Sequence, residues 1–267
     1  MTTLMAIGGA VDFEEPAIFK EFFKRTGGAK ARIVVLPQAS GLKNTGREYC
    51  EIFQSLGLKS KPISLEFRAR KDADKKKHLD ALRDATGIFI AGGTQLRITS
   101  IFGGTVFESE LLLAFKRGAV IAGTSAGTAV MSKLMIAYGK GGATPREGLA
   151  RFSPGIGFTE KIIFDQHFRQ RDRLGRLVYA ICMHPGLLGV GVDENTCAIV
   201  EDDKRISVCG KNAITIVDGT EMISTNVAEV EGSRPVAVSG LKIHVLTEGC
   251  SLNLRSRTAS IPDIRLE

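Results

Sequence analysis

Aromatic side chains are scarce in this sequence, whose 267 residues include no tryptophan and only three tyrosines. The formal net charge of +7 would suit either nucleic acid or a substrate that carries carboxylates. Proteins that bind nucleic acid usually show aromatic and basic motifs together, and no such motif occurs here. We therefore expect no nucleic-acid partner, and a carboxylate-bearing ligand is the better explanation of the charge.

Long hydrophobic runs are also absent. No stretch approaches the roughly 20 consecutive apolar residues that a membrane-spanning helix needs. The opening segment MTTLMAIGGAVDFEEP lacks the basic region that begins a signal peptide. The sequence therefore predicts a soluble cytoplasmic protein with no membrane partner.

Cysteine pairs with metal-binding spacing are missing as well. The five cysteines are odd in number, widely spaced and never arranged as CxxC, which argues against a disulfide framework and against a zinc site. The glycine pairs Gly8-Gly9 and Gly92-Gly93 could bind phosphate, but no Gly-Lys-Ser/Thr and no complete G-x-G-x-x-G accompanies them. We expect no metal ion and no organic cofactor.

Short apolar runs alternate with helical patterns over the first two-thirds of the chain. Because each helical stretch is long enough to connect parallel strands, the pattern predicts an α/β fold with a mainly parallel sheet and helices on both faces. Strands are predicted at 3–9, 31–37, 62–67, 87–93 and 119–125. A first helix is predicted at 14–28, with Pro16 in its first turn, and a second at 44–58, with Asn44 as its cap.

Beyond residue 185 the pattern changes to short strands separated by turn residues. These strands are expected to extend the sheet and to add an antiparallel layer at its edge, and roughly the last 15 residues are expected to form a frayed tail. Neither a linker nor a repeat interrupts the sequence, so residues 1–267 are expected to form a single domain.

The segment AVIAGTSAGTAV (119–130) contains the pattern G-x-S-x-G at a strand-to-helix junction. In that context the pattern is typical of a nucleophilic serine, here Ser125, on a strained turn. The amide of the next residue, Ala126, would then face an oxyanion. The alternative is a tight turn in which Ser125 only caps the following helix.

A nucleophilic serine needs a base, and His167 is the preferred candidate because it follows another predicted strand, in KIIFDQHF. That strand is expected to belong to the same sheet, so that His167 and Ser125 would lie at one edge of it. An orienting acid follows the next strand, in LLGVGVDENTC, where Glu194 is preferred and Asp193 stays open. In common α/β-hydrolases the acid precedes the histidine, so this chain order separates the sequence from them. An exposed histidine at a helix start is the alternative.

Residues after the fourth predicted strand could contribute to the same site. The backbone of Gly93 could supply a second oxyanion donor, and the side chain of Gln95 could point its amide at a ligand. The alternative for the glycine pair is a simple turn that ends the strand.

The basic segment that follows His167 is a candidate substrate-binding element. Arg169, Arg173 and Arg176 have helical spacing and are predicted to share one helix face, which would suit a ligand with several carboxylates. Asp165 or Asp172 could meet a cationic group of the same ligand. Ion pairs on an exposed helix are the alternative.

The motifs GGTQ (92–95), GTSAG (123–127), FDQH (164–167) followed by R-x-R-x-x-R, and DEN (193–195) resemble, in order and spacing, the S51 family of serine exopeptidases, the cyanophycinases, which are related to aspartyl dipeptidases. The resemblance implies a flavodoxin-like fold of the class I glutamine amidotransferase type and a homodimer. It also implies hydrolysis of cyanophycin, a poly-aspartate chain with arginine on its β-carboxyls, to β-Asp-Arg dipeptides.

The resemblance also implies roles for individual residues. Ser125 would be the nucleophile, His167 the base and Glu194 the orienting acid, and the amides of Gly93 and Ala126 are expected to hold the oxyanion. An α-aspartyl or isoaspartyl dipeptidase and a non-catalytic ligand-binding relative stay open as alternatives. The residues implied to line the substrate site are Gln95, Asp165, Gln166, Arg171, Arg173 and Arg176.

Overall fold

The computed structural model describes residues 1–12 and 16–262, and the largest sheet within them has nine strands. Five neighbouring strands of this sheet run parallel. Segments such as IVVL and GIFI are buried along their whole length, as in strands covered on both faces. From the sheet edge inward the parallel strands are β3 (Ile63–Ser64), β2 (Ile33–Leu36), β4 (Gly87–Ile90), β5 (Val120–Thr124) and β1 (Thr3–Ile7).

Four C-terminal strands continue this sheet beyond β1 in antiparallel pairs, which confirms the predicted antiparallel extension. The expected frayed tail is wrong for residues 253–260, because they belong to a hairpin that pairs with the rest of the sheet. The remainder of the predicted tail, residues 263–267, lies outside the described residues. The added strands are β10 (Thr196–Glu201), β11 (Arg205–Gly210), β16 (Ser251–Asn253) and β17 (Thr258–Ser260).

A second, separate sheet carries the strand that precedes His167. The expectation that this strand shares a sheet with β5 is wrong: within the described residues it pairs only with the strand that precedes Glu194, in parallel. Two antiparallel strands complete the second sheet. In spatial order its members are β8 (Ile162–Gln166), β9 (Leu188–Val192), β12 (Ile214–Asp218) and β15 (Lys242–Leu246).

Two short hairpins accompany these sheets. One of them, made of β6 (Leu134–Gly139) and β7 (Ala150–Pro154), has no counterpart among the predicted elements. The other joins β13 (Ser224–Thr225) to β14 (Val238–Ser239).

Helices cover both faces of the parallel strands, as predicted. The side chains of β2 alternate between two cores, with Ile33 and Val35 in one and Val34 and Leu36 in the other. Helices α1 (Ala17–Arg25) and α2 (Thr45–Ser55) pack on the first face through Phe19, Phe22 and Phe53. Helices α3 (Lys76–Asp84), α4 (Gln95–Phe102) and α5 (Val106–Lys116) pack on the second. The other helices are α6 (Ala126–Ala129), α7 (Leu174–Met183) and the 3₁₀ turns Gly28–Lys30 and Arg70–Asp74.

The predicted starts of the first two helices can be compared with the structure. Asn44 directly precedes α2 but makes no side-chain capping hydrogen bond. The predicted first helix begins at Ala17, and the part of that prediction that falls on residues 14 and 15 lies outside the described residues.

No single helix in residues 1–12 and 16–262 is both long enough and apolar enough to cross a membrane. Helices α4 and α5 reach the required length and composition only when taken together, and they meet at a bend of 105°.

Candidate active site

Ser125 occupies a strained turn between β5 and α6. Its φ of 53° and ψ of −110° lie in a region that side-chain-bearing residues rarely adopt. The flanking glycines allow this turn: a Cβ on Gly123 would lie 2.5 Å from the Gly127 carbonyl oxygen, and a Cβ on Gly127 would lie 2.2 Å from the Ile90 carbonyl oxygen. The Ser125 side chain makes no helix-capping hydrogen bond, so the capping alternative does not describe this turn.

The hydroxyl of Ser125 lies beside the ring of His167. The distance between Ser125 Oγ and His167 Nε2 is 3.0 Å. His167 directly follows β8 and has a φ of 47°. The turn after β1 packs against it: the His167 amide donates to the Gly8 carbonyl, and a Cβ on Gly9 would lie 2.3 Å from the imidazole ring.

Glu194, at the end of β9, contacts the other ring nitrogen. His167 Nδ1 and Glu194 Oε1 are 2.5 Å apart, and the Glu194 side chain is partly exposed. Asp193 has a different partner, because its Oδ1 accepts a hydrogen bond from the Arg169 amide at 3.0 Å. Of the two acids that the sequence leaves open, Glu194 is therefore the one in contact with His167.

Burial lowers the pKa of His167 below its ordinary value of 6.5. The hydrogen bond with Glu194 opposes this change, whereas the nearby positive charges of Arg171 and Arg173 reinforce it. At neutral pH the imidazole is therefore uncharged and can accept the proton of the Ser125 hydroxyl. A serine, a neutral histidine and a carboxylate linked in this order form the arrangement of a nucleophile with its base and orienting group.

A cavity of about 470 Å³ opens in front of Ser125, and we call it the Ser125 cavity. Its wall combines the segment between β4 and the start of α4 with residues of β6, the end of β8 and the segment that leads into α7. The residues that line it, besides Ser125, are Gly93, Thr94, Gln95, Leu96, Ala137, Tyr138, Gly139, Gln166, Arg171, Arg173 and Arg176.

The two predicted oxyanion donors occupy different positions. Gly93 lies in the cavity wall with a φ of 139°, and a Cβ there would lie 2.1 Å from the Ala39 carbonyl oxygen. Ala126 begins α6 directly after Ser125 and is buried. Among the described residues, the Gly93 and Ala126 amides donate to no backbone acceptor, so both N–H groups are available to a ligand that reaches them.

Gln95 is held by the unpredicted β6–β7 hairpin. Its Nε2 donates to the Ile136 carbonyl at 3.2 Å and also to the Ala137 carbonyl. The side-chain amide therefore fixes the hairpin against the start of α4, and the N–H groups that were expected to point at a ligand are engaged by protein.

Asp165 is the buried partner of two arginines. It is 1% exposed and does not line the cavity, unlike the sequence-based expectation. Its Oδ2 accepts from Arg176 Nε at 2.6 Å, and its Oδ1 accepts from Arg173 at 3.2 Å. Because Arg173 also donates to the Gln166 side chain at 2.9 Å, these four residues form one network, in which Asp165 is the member that does not line the cavity.

The predicted shared helix face of Arg169, Arg173 and Arg176 is wrong. Helix α7 begins only at Leu174, so Arg169 precedes it by several residues and Arg173 is its N-terminal cap residue. Positive φ angles at His167 and Asp172, both 47°, break any helix through this segment. Arg171, which the turn leaves exposed, forms no salt bridge with any described acidic side chain.

Sequence reasoning missed the contribution of the β6–β7 hairpin. Tyr138 is 54% exposed, lines the Ser125 cavity and lies directly opposite Arg151, whose guanidinium is 5.9 Å from the ring centroid. The short apolar run of LMIAYG was the available signal for a strand here. Across the described residues, no three His, Cys, Asp or Glu side chains come together as a metal site.

Comparison with known proteins finds a family model that covers most of the chain. Peptidase family S51 matches residues 4–208. A cyanophycinase from Trichormus variabilis is 39% identical over 260 residues, which is 96% of this chain and 87% of the relative. A cyanophycinase from Geminocystis herdmanii is 36% identical over 258 residues, which is 96% of this chain and 94% of the relative.

Solved structures share the fold at low sequence identity. A peptidase from an acI-B1 actinobacterium has a TM-score of 0.66 at 19% identity, with 95% of this chain and 97% of that chain covered. A putative peptidase E from Listeria monocytogenes has a TM-score of 0.54 at 12% identity, with 79% and 100% covered.

Proposed function

The chain belongs to peptidase family S51, and from this membership we propose that it is a serine-type exopeptidase that hydrolyses cyanophycin to β-Asp-Arg dipeptides. The observation that carries the proposal is the contact of Ser125 with His167 and of His167 with Glu194 at the mouth of a cavity. Its similarity to cyanophycinases over nearly the whole chain supports the choice of substrate.

Acylation begins when His167 Nε2 accepts the Ser125 proton as Oγ attacks a backbone carbonyl carbon between two aspartates of the substrate. The carbonyl π electrons move to the oxygen, and the amides of Gly93 and Ala126 hold the resulting oxyanion. As the tetrahedral intermediate collapses, the C–N bond breaks and His167 gives its proton to the leaving amine.

Deacylation repeats these steps with water. His167 removes a proton from water, the hydroxide oxygen attacks the acyl-enzyme carbonyl carbon, and Ser125 Oγ leaves with the proton from His167. Throughout both halves Glu194 keeps the Nδ1 proton of His167 directed toward itself and stabilises the imidazolium that forms transiently.

Two sets of residues contribute to substrate recognition: an exposed arginine that contacts the substrate directly, and hydrogen-bonded side chains that fix the shape of the Ser125 cavity. Arg171 is exposed and forms no salt bridge with an acidic side chain that the structure describes, so we assign to it the main contact with a substrate carboxylate. Arg173 and Arg176 are largely engaged by Asp165, and with Gln166 and Gln95 they hold the shape and positive potential of the wall.

The decisive experiment is hydrolysis of purified cyanophycin by the wild-type protein and by Ser125→Ala. We expect β-Asp-Arg release to fall by at least about 10³-fold in the variant with unchanged circular dichroism. Full residual activity in Ser125→Ala would refute the serine mechanism. Faster hydrolysis of Asp-Leu than of β-Asp-Arg chains would assign the protein to the aspartyl dipeptidases instead, and no fluorophosphonate labelling of Ser125 would favour a non-catalytic relative.

We further propose a cytoplasmic homodimer that acts without a nucleic-acid or membrane partner. The proposal rests on the resemblance of the motifs and on the scarcity of aromatic and long apolar segments in the sequence. Light scattering coupled to size exclusion would test the dimer: a mass of one chain, 28.7 kDa, would contradict it.

A further inference from the structure

A second cavity, of about 350 Å³, lies farther along the carboxyl edge of the parallel strands, and we call it the Gln38 cavity. It is formed by the segments that follow β2 and β3 together with one side of α4. Its lining includes Gln38, Lys43, Glu66, Phe67 and Arg97.

The Ser125 cavity and the Gln38 cavity flank a single backbone contact. The Ala39 carbonyl accepts from the Thr94 amide at 2.9 Å, and Thr94 lines the Ser125 cavity. Gln38, immediately before Ala39, lines the Gln38 cavity. Neighbouring residues of α4 also belong to different cavities, since Leu96 lines the Ser125 cavity and Arg97 lines the Gln38 cavity.

The strand order sets the distance between the two cavities. Along the sheet β5 is followed by β4, β2 and β3. Because neighbouring strands lie about 4.8 Å apart, the ends of β2 and β3 are roughly 10 and 14 Å from the end of β5. An extended peptide backbone advances by at most about 3.5 Å per residue, so about three or four residues of a substrate chain would reach from Ser125 to the Gln38 cavity.

The buried oxygen of Gln38 is the strongest sign of a ligand. Gln38 is 7% exposed, and its Nε2 donates to the Leu65 carbonyl at 2.5 Å. Its Oε1 accepts no hydrogen bond from any described residue. A buried acceptor without a donor is unfavourable, and a donor group entering the cavity would satisfy it.

The charged side chains that line this cavity have both signs. In the described parts of the chain, neither Lys43 nor Arg97 forms a salt bridge with an acidic side chain, and Glu66 forms none with a basic one. Arg97 uses one nitrogen for the Ser40 carbonyl, at 3.1 Å, and keeps its other donors. The cavity thus offers two cations, one anion and one neutral acceptor to a ligand.

We propose that the Gln38 cavity is a second binding site for the substrate chain, which holds an arginyl unit several residues away from the scissile bond. This inference rests on the proposed function. Glu66 and Gln38 Oε1 accept from the guanidinium of that unit, and Lys43 and Arg97 bind its free carboxylate. The protein therefore distinguishes long chains from short ones by contacts outside the Ser125 cavity.

Chain-length dependence tests the inference. Chains of two β-Asp-Arg units are too short to fill both cavities, whereas chains of about eight units exceed the estimated reach. In wild-type protein we expect kcat/KM to be higher for the long chain. In Lys43→Gln and in Glu66→Gln the ratio of kcat/KM for the long chain to kcat/KM for the short chain should fall roughly tenfold. The fall should come mainly from a higher KM for the long chain, while kcat/KM for the short chain stays the same. Lys59→Gln, an exposed lysine outside the cavity, is the control for loss of one positive charge.

These variants are preferable to Gln38→Met, because Gln38 also holds the Leu65 carbonyl and its replacement could disturb the fold. An unchanged long-to-short ratio in both charge variants would overturn the second site and leave the proposed function intact. Calorimetry with Ser125→Ala separates binding from turnover: equal affinity for the two chain lengths would also overturn the second site. Wild-type protein that hydrolyses neither chain would contradict the proposed function and this inference together.

Discussion

Ser125 differs from an ordinary helix-capping serine in the atom that its hydroxyl contacts. A capping hydroxyl accepts from an amide two or three residues farther on, whereas Ser125 makes no such bond and lies 3.0 Å from His167 Nε2. Its backbone conformation costs of order 1–3 kcal/mol, which the surrounding structure must offset. The hydroxyl of Ser125 is therefore directed at His167 and not at the backbone of the helix that follows.

The pH dependence of activity should follow His167. Because burial and two arginines lower its pKa, the acid limb of kcat/KM should have its midpoint below pH 6.5, with activity rising as the imidazole loses its proton. Arg171→Gln removes a nearby positive charge, which makes the imidazolium easier to form. The pKa of His167, and with it the midpoint, should therefore move upward.

The shape of the kcat/KM profile is the measurement for this variant, since loss of Arg171 should also raise KM at every pH. Arg47→Gln, which removes an exposed arginine on α2, serves as the matched control and should leave the midpoint in place. A midpoint that stays fixed or moves downward in Arg171→Gln would contradict the electrostatic account of His167.

The sequence predicts the position of a residue when the local backbone conformation determines it. It does not predict which contacts a residue makes when the partner lies on a distant segment. The motif around Ser125 specifies a turn that only its two glycines permit, so the strand-to-helix junction followed from the sequence. Asp193 and Glu194 are adjacent in one turn, and sequence could not separate them because their partners, the Arg169 amide and His167, lie on another segment. The catalytic roles of Ser125, His167 and Glu194 stay predictions.

At the scale of elements, the segment after His167 shows how helical spacing can mislead. The arginines recur at helical intervals, yet the chain turns twice through positive φ before α7 begins. These turns return the backbone toward β9, where Asp193 binds the Arg169 amide. The β6–β7 hairpin escaped prediction for a related reason: what fixes it against the site is the Gln95 side chain, from a helix about 40 residues away.

The Ser125 turn should tolerate no side chain at Gly127. In Gly127→Ala the new Cβ would lie 2.2 Å from the Ile90 carbonyl oxygen, so β4 and α6 must separate. We expect the free energy of unfolding to fall by about 1–3 kcal/mol, and activity to fall as well because Ser125 moves with the turn. Urea denaturation followed by circular dichroism measures the first effect.

Gly186→Ala is the matched control for this substitution, because none of the described residues has an atom within 4 Å of a Cβ built at Gly186. Its free energy of unfolding should stay within about 0.5 kcal/mol of the wild-type value. Equal stability of the two variants would show that close packing at Gly127 does not maintain the turn.

At the scale of the whole molecule, the candidate site lies where two sheets meet. Apolar runs predicted where the buried strands lie, although only Ile63–Ser64 of the strand predicted at 62–67 is a strand. Such runs carry no information about which strands pair. Sequence therefore placed β5 and β8 in one sheet, whereas Ser125 and His167 approach from two sheets joined through the Gly8–Gly9 turn. The expectation of a single domain stays a prediction.

The C-terminal hairpin should be needed for stability although the match to peptidase family S51 ends at residue 208. Strands β16 and β17 cover the edge of β11, and Leu252 and Leu254 are 1% and 6% exposed. A chain that ends at residue 249 loses both leucines, each worth about 1.5–3 kcal/mol of burial, and leaves β11 as an uncovered edge. We expect a lower melting temperature and aggregation on heating, measured against a chain that ends at residue 262 and keeps the hairpin. Equal melting temperatures for the two chains would mean that the sheet is equally stable with β11 as its edge strand.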